Sequence, residues 1–527
     1  MKKKVMAMMA AFAMFFAAIP FAHAEESNVS DLVDLLPGSE SVNEIFLNIL
    51  NEIRLSDEAG SLQEITELID KEYYKPHEPA GYVVDENSYY VSLGDSSITG
   101  MNTGDPAYGN NGYKTEVPAS APYQVAQGLE LDTNTQYEQL ALAGIRTTDL
   151  RYILDESFVP DHYTLTSIKN RVDNYAGGFS KMRNDYMMAL PKADLITVSI
   201  GNNNFTGFLS VQGEGIVAEL LNKELYDVLN KGLFKDRIRE IINQYIDLDS
   251  KTCEMSWENY LDKDGLQQLE TVLSDAKATF IEKGIPESYP VDLADMVGIT
   301  LPDVVKNKLV VDVPVAEIAT FFVECFLYSY VTFVVDFEPA FNKIHEIAPD
   351  AELLILSLYN PADDLTFTFQ GLELPYGESC GLLAKIMSLH FIDYAKATPK
   401  TTFVDVFDTE SMADKDLEAG SKFELMDYLE IVAHDSGDFH ATRAGHTYIK
   451  DQILAALAPK EDDLKGDADG SGEVDYLDAM IVLQYHTGIV DDDALDLTAC
   501  DVDGSGEVDY LDAMMILQYH TGVIPEL

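Results

Sequence analysis

Cysteine, tryptophan and positive charge are scarce in this chain. Four cysteines in 527 residues exclude a disulfide-built scaffold, which needs many more per unit length. Their positions, Cys253, Cys325, Cys380 and Cys500, match no zinc-ligand spacing. Three lie upstream of the C-terminal segment and allow at most one internal pair, and Cys325, in an apolar stretch, is expected in the core. A single tryptophan, Trp257, gives no aromatic platform. Lys and Arg number 35 against 91 Asp and Glu, a formal charge of −56, so no nucleic-acid partner is expected: phosphate binding needs a basic surface. Long apolar runs are also few. Phe321 to Val335 comes closest, but Glu324 interrupts it, and it reads as a buried core helix or strand rather than a membrane span.

Apolar residues make up 46% of the chain, an ordinary proportion for a protein with a large core. Lys2, Lys3 and Lys4 precede an apolar run from Val5 to Ile19, and Ala22-His23-Ala24 follows. This is the layout of a signal peptide over residues 1–24, which predicts a secreted, extracellular protein with no stable membrane span. Residues 25–84 read as an N-terminal helical extension, with Val42, Ile45, Phe46 and Ile49 at helical spacing. From Tyr89 onward, short apolar runs alternate with helix-like sequence. Tyr89–Leu93, Leu195–Ile200, Ala351–Leu358 and Thr402–Val406 are the candidate strands. The alternation predicts an α/β domain over 85–458, a doubly wound parallel sheet with helices on both faces. About 205–347 is long for one connection and reads as a helical insertion. A charged linker, 459–465, leads to a separate segment, 466–527.

That segment contains an internal repeat. Asp467–Gly488 and Asp501–Gly522 differ only at Ala468/Val502, Ile481/Met515 and Val482/Ile516, at an offset of 34 residues (Asp467 to Asp501). Each copy carries the pattern of a twelve-residue calcium loop, which supplies oxygen from positions 1, 3, 5, 7, 9 and 12. In the first copy these are Asp467, Asp469, Ser471, the carbonyl of Glu473, Asp475 and Asp478. In the second they are Asp501, Asp503, Ser505, Glu507, Asp509 and Asp512. Gly472 and Gly506 stand at position 6, where the chain turns sharply, and Val474 and Val508 at position 8 can face a core. Two bound Ca2+ ions are predicted.

Position 12 is Asp rather than Glu, and one helix pattern follows each loop with no clear entering helix. In these respects residues from Gly466 to about Ile524 resemble a dockerin, a small all-α domain of tandem EF-hand-like loops that plugs secreted enzymes into the cohesin domain of a scaffold protein, as in cellulosomes. The resemblance implies cohesin contacts at Tyr476, Leu477 and Gln484, and in the second copy at Tyr510, Leu511 and Gln518. Tyr-Leu stands where small hydroxyl residues are common, which leaves the cohesin class open. Core packing is the competing reading for Leu477 and Leu511. The symmetry would allow two binding orientations.

Four blocks in the larger domain carry chemistry. Tyr90–Ser96 is a strand pattern ending in Gly-Asp-Ser, and Leu140–Leu150 places Gly144 in a turn before a helix. Leu195–Asn204 is a strand ending in Gly201-Asn202-Asn203-Asn204, and Gly437–His446 includes Asp438 and His440. In this order the blocks resemble the GDSL/SGNH hydrolase superfamily over roughly Tyr89 to Leu457, which implies a flavodoxin-like sheet. The resemblance implies Ser96 as nucleophile and His440 as base. It implies an oxyanion hole from the backbone N–H groups of Ser96 and Gly144 and the side chain of Asn203. No cofactor is implied for catalysis. Such chemistry needs an imidazole to take the serine proton and preformed donors for the oxyanion. Asp438 is the choice for orienting the imidazole, with Asp435 as runner-up; His434 and His446 are competing bases. Asp95 reads as a structural hydrogen-bonder. The chain departs from the family at Asn204 (commonly Asp), at Gly437 (commonly Asp) and at Ala441 (commonly Pro). The resulting expectation is a secreted carboxylic ester hydrolase that deacylates plant cell-wall polysaccharide, an esterified substrate suggested only by the docking module. A lipase or lysophospholipase, using apolar residues around Ile318–Val335 as an acyl groove, is the alternative. A non-catalytic subunit is the third reading.

Overall fold

The computed structural model describes residues 69–70, 74, 79–205, 254–282, 286–292, 310–360, 366–369, 372–410, 422–424, 440–458, 465–469, 474–490, 497–506, 508–525 and 527, with isolated positions between 208 and 240. The chain divides into two compact units, Met1–His77 with Val84–Leu454 and Glu78–Val83 with Ala455–Leu527.

The first unit is built on five strands: β1 (Tyr90–Gly94), β2 (Tyr137–Gln139), β3 (Leu195–Ser199), β4 (Glu352–Leu356) and β5 (Thr401–Val404). Their order is β2-β1-β3-β4-β5, and every neighbouring pair is parallel. This is the flavodoxin-like doubly wound order, so the α/β expectation holds. Strands β1 and β3 are buried along their whole length, as expected for central strands covered on both faces. The four candidate strands of the sequence fall on β1, β3, β4 and β5. Strand β2 was not foreseen: it is a three-residue edge strand, Tyr-Glu-Gln, too short and too polar to show a strand pattern.

Helices flank the sheet: α1 (Ala121–Gly128), α2 (Thr147–Leu154), α3 (Lys169–Tyr175), α4 (Phe179–Ala189), α5 (Lys263–Glu282), α6 (Val315–Ile347), α7 (Tyr376–Ala397) and α8 (Arg443–Leu457). Helix α6 contains the apolar stretch around Phe321–Val335. It alone among the described residues is long and apolar enough to cross a membrane, but Phe322, Val323, Leu327, Val331, Phe333 and Phe341 are buried in the main core. Its polar residues are matched there: Glu324 accepts from Trp257 Nε1 at 3.0 Å, and buried Asp336 accepts from Arg151 Nη1 at 2.8 Å.

The expected helical insertion is therefore only partly a separate feature. Its last helix belongs to the main core. The segment also includes an antiparallel pair, Tyr289–Asp292 with Val310–Val313. A small three-stranded sheet, Thr366–Phe369, Leu372–Pro375 and Lys422–Glu424, lies later in the chain. Most of the N-terminal extension is outside the described residues. Where it is described, Ile69 and Tyr74 pack on the main core and Asp70 pairs with Lys385.

The second unit pairs two helices, α9 (Tyr476–His486) and α10 (Tyr510–His520). Ala468, Ala479, Val482, Cys500, Val502, Ala513 and Ile516 form its core, and Val474 and Val508 pack against it. The short helix Leu497–Cys500 precedes the second loop. Each long helix ends on a glycine with positive φ, Gly488 at 71° and Gly522 at 70°, the usual left-handed stop. Tyr476 lies against His520 and Tyr510 against His486, with ring centroids 6.1 and 5.9 Å apart. The repeat in sequence is thus a near-twofold in structure.

Candidate active site and candidate calcium loops

Strand β1 ends at Gly94, and the site begins there. Gly94 has φ +134°, and a Cβ on it would stand 2.0 Å from the Ser199 carbonyl oxygen. Glycine is required because β1 and β3 must stay paired through this point, where Asp95 N–H donates to Ser199 O at 2.9 Å. The chain then turns into a short 3-10 helix, Ser96–Ile98, capped by Asp95. Asp95 Oδ1 accepts from Ser97 N and from Ser97 Oγ, at 2.9 and 2.7 Å, and Ser97 Oγ meets Ser199 Oγ at 2.6 Å. Asp95 is the structural hydrogen-bonder expected of it. Burial pushes its carboxyl above the ordinary range, and the Ser97 hydrogen bonds pull the other way.

Ser96 stands at the carboxyl end of β1, beside the β1/β3 boundary where the strand order reverses, the position at which doubly wound sheets bind ligands. His440 Nε2 lies 2.7 Å from Ser96 Oγ. These residues are 344 positions apart in sequence. The imidazole's own segment is held to the Ser96 segment by two contacts, Asn102 Nδ2 to His440 O at 3.1 Å and Arg443 Nη2 to Thr103 O at 3.3 Å.

Gly144 comes from the loop after β2. That chain runs on beside β1, with Leu140 N donating to Ser92 O and Leu142 N to Gly94 O at 2.8 and 3.0 Å. Gly144 has φ +93°, and a Cβ there would fall 1.7 Å from Arg171 Nη1. That same nitrogen donates to Ala143 O at 2.8 Å. Asn203 comes from the loop after β3. Its amide nitrogen is buried without a hydrogen-bond partner among the described residues, although it is near enough to Asp95 to help stabilise that carboxylate. A buried donor left open is costly unless something arrives to accept from it.

Asp438, Asp435 and His434 lie outside the described residues. His446 is described and is a different kind of histidine from His440. It is fully buried, and its Nδ1 accepts from Ala121 N at 3.2 Å. Burial, with the nearby His440 adding, depresses its pKa to about 3. It is a neutral core side chain, not a competing base.

Sequence reasoning treated Asn204 only as a departure from a pattern. The structure gives it a task. Asn204 is fully buried, its Oδ1 accepts from Thr147 N at 3.2 Å and its Nδ2 donates to Thr147 Oγ1 at 3.0 Å. No local signal announces a partner 57 positions away. Next to it, Arg146 is fully buried between Asp149 and Asp161.

In the second unit, one carboxylate oxygen each of Asp467, Asp469 and Asp478 lie within 4.8 Å of one another, and so do those of Asp501, Asp503 and Asp512. These are positions 1, 3 and 12 of each loop. Gly506 has φ +84°, in keeping with the turn at position 6. Asp478 Oδ1 accepts from Ala468 N and Asp469 N at 2.8 and 3.1 Å. Burial pushes the Asp478 carboxyl above its ordinary range, backbone N–H groups oppose this, and the Asp469 charge adds to the rise. A hard divalent cation would cancel that repulsion, and an all-oxygen donor set suits Ca2+. Position 9 is otherwise engaged: Asp475 and Asp509 cap α9 and α10 through Leu477 N and Leu511 N, at 2.6 and 2.7 Å, and neither belongs to the carboxylate clusters. Ser505 N donates to Asp501 Oδ1 and Asp503 Oδ1 at 2.9 and 2.8 Å. Ser471, Glu473 and Glu507 lie outside the described residues.

Of the expected partner contacts, Tyr476, Leu477, Tyr510 and Leu511 are exposed, and Gln484 and Gln518 are half-buried. Leu477 is 36% and Leu511 43% exposed, which removes the core-packing reading for both. The sequence reading missed Met480, Leu483, Met514 and Leu517, which are exposed on the same helices.

Residues 465–519 match the family model for the dockerin type I domain. No curated protein matches the chain. Solved structures similar to it include an extracellular lipase of Streptomyces rimosus, 15% identical, with 70% of this chain and 98% of that one covered and a TM-score of 0.27. Another is phospholipase A1 of Streptomyces albidoflavus NA297, 14% identical, with 71% and 99% covered and a TM-score of 0.28. TM-scores this low leave the fold to rest on the strand order and register described above.

Proposed function

We propose that the first unit is a serine ester hydrolase and that the second docks it to a scaffold protein. The observation that carries the first part is the 2.7 Å contact between Ser96 Oγ and His440 Nε2 at the switch point of a parallel sheet. In this reading His440 takes the Ser96 proton as Oγ bonds to the ester carbonyl carbon. The carbonyl oxygen becomes an oxyanion, met by the N–H groups of Ser96 and Gly144 and by the Asn203 amide. Collapse breaks the ester C–O bond, and His440 returns the proton to the leaving alcohol. Water, deprotonated by His440, then releases the acid and restores Ser96. Asp438 orients the imidazole, with Asp435 as the competing choice.

The dockerin match supports the second part. Such domains bind cohesins, and the exposed Tyr476-Leu477 and Tyr510-Leu511 pairs are the proposed contacts. Two Ca2+ ions are proposed to hold the loops. Assemblies built this way act outside the cell on plant fibre, so an acetyl-type ester on a cell-wall polysaccharide is the proposed substrate. The lipase alternative loses its specific support, because the apolar residues of α6 offered for an acyl groove are packed in the core.

The test is hydrolysis of short-chain and long-chain p-nitrophenyl esters beside acetate release from acetylated xylan, with Ser96→Ala as control. Serine-dependent acetate release without long-chain turnover is the expected result. A long-chain preference would favour a lipase, and inactivity on all three would favour the non-catalytic reading.

A further inference from the structure

We infer that Asn204 is a positioning residue for this site, fixing the loop that carries Asn203 against the helix start that follows Gly144. The inference rests on the hydrolase reading above and goes beyond it. The first N–H groups of a helix lack partners within the helix and need an acceptor from elsewhere. Helix α2 begins at Thr147, and the residue at its cap is Arg146. A guanidinium has no acceptor to offer, and this one is engaged with Asp149 and Asp161. The acceptor is instead borrowed from the far side of the site: Asn204 Oδ1 takes the Thr147 N–H at 3.2 Å.

The amide's other end completes the clamp. Asn204 Nδ2 donates to Thr147 Oγ1 at 3.0 Å, and Thr147 Oγ1 donates onward to Thr332 O of α6 at 3.4 Å. Asn204, Thr147 and Thr332 are fully buried, so water does not compete for these bonds. On the other strand's loop, Asn204 N–H donates to Gly201 O at 3.0 Å, which closes the turn that holds Asn203. The two proposed oxyanion donors, Gly144 and Asn203, thus come from different loops. Each is one to three residues from the same pair of side-chain hydrogen bonds. A small misplacement of such donors is expensive in rate, on the order of a hundredfold for about 1 Å.

A cap that served only stability would behave differently from a clamp that sets donor spacing, and the conservative variant separates them. Asn204→Asp keeps two acceptors, one for the Thr147 N–H and one for its hydroxyl. Asn204→Leu keeps none. With p-nitrophenyl acetate and the full chain, Asn204→Leu is expected to lower kcat by about tenfold or more with KM within about threefold. Asn204→Asp is expected to recover most of that loss. Thr147→Val, which removes only the hydroxyl, should show a smaller fall of the same kind and carries the test if Asn204→Leu does not fold. A folded Asn204→Leu with wild-type kcat, an Asn204→Asp no better than Asn204→Leu, or an unchanged Thr147→Val would overturn the inference. Turnover that survives Ser96→Ala would instead overturn the hydrolase reading itself.

Discussion

Arg146 and Asp161 form a bidentate ion pair with no solvent access, Nη2 to Oδ1 at 2.7 Å and Nη1 to Oδ2 at 3.0 Å. Asp149 approaches the same guanidinium, at 3.4 Å from both Nε and Nη2, so two buried carboxylates share one cation. They do not share it equally. Asp161, held by Arg146 and by Thr164, lies below the ordinary carboxylate range despite its burial. Burial keeps Asp149 above that range. Removing Asp161 should therefore hurt more than neutralising Asp149. Asp161→Asn is expected to cost roughly 3–5 kcal/mol, the range for breaking a buried pair. Asp149→Asn, which keeps an acceptor for Arg146 N–H, is expected to cost under about 1.5 kcal/mol. Urea unfolding of the two variants at pH 7 checks the order, and equal losses would refute the asymmetry.

His446 gives a pH dependence with a definite sign. Its folded pKa is about 3, depressed by burial, whereas an unfolded histidine titrates near 6.5. Between those values the unfolded chain binds a proton that the folded chain does not. The stability this group contributes is complete above about pH 6.5 and falls as the pH drops toward 3. His446→Asn keeps an acceptor for Ala121 N–H and removes the titration. Its urea midpoint should fall less between pH 7 and pH 5 than that of the parent chain. His390, fully buried and lowered to about 4, remains in both proteins and sets the residual slope. Parallel slopes in the two proteins would show that His446 does not titrate on unfolding.

The sheet was legible because its strands are written in apolar and β-branched runs. Leu195–Ser199 could be read directly from such a run, and the neighbouring glycines marked where it ends. Strand β2 was not legible, because an edge strand of three residues has no room for a pattern. The loop carboxylates at positions 1, 3 and 12 were legible because a metal loop is local. The capping duty of Asp475 and Asp509 was hidden, since one Asp suits both a ligand position and a helix cap. The Ser96–His440 contact could be expected only through the order of motifs, not through distance along the chain. The Asn204–Thr147 pair was invisible for the same reason and had no motif to announce it.

Calcium removal should act on the second unit. Asp478 and Asp512 are buried carboxylates facing other carboxylates, and their repulsion is unrelieved without a cation. Binding of an ion present at about a hundred times its Kd would stabilise the folded loops by ~2.7 kcal/mol per site. A chelator is therefore expected to reduce the far-UV circular dichroism from α9 and α10 and to abolish binding to a cohesin, leaving p-nitrophenyl acetate hydrolysis within about twofold. Asp478→Asn with Asp512→Asn should reproduce the loss of binding in the presence of calcium. A chelated chain that still bound a cohesin would refute the loop assignment.

The near-twofold of the second unit leads to the last prediction. Tyr476, Leu477, Met480 and Leu483 are exposed on α9, and Tyr510, Leu511, Met514 and Leu517 are exposed on α10. The two sets occupy equivalent positions in repeats that differ at three other sites. A cohesin that reads one set should therefore accept the other after a half turn. Tyr476→Ala with Leu477→Ala is expected to leave a Kd within about threefold of the parent, because the second face remains, and the same holds for Tyr510→Ala with Leu511→Ala. All four changes together should weaken binding by at least about a hundredfold, since truncating central aromatic and aliphatic anchors commonly costs ~2 kcal/mol or more in sum. Isothermal titration against a panel of cohesins measures all three variants. A full loss from either single-face variant would mean that one helix alone is read and that the symmetry of the repeat is not used for binding.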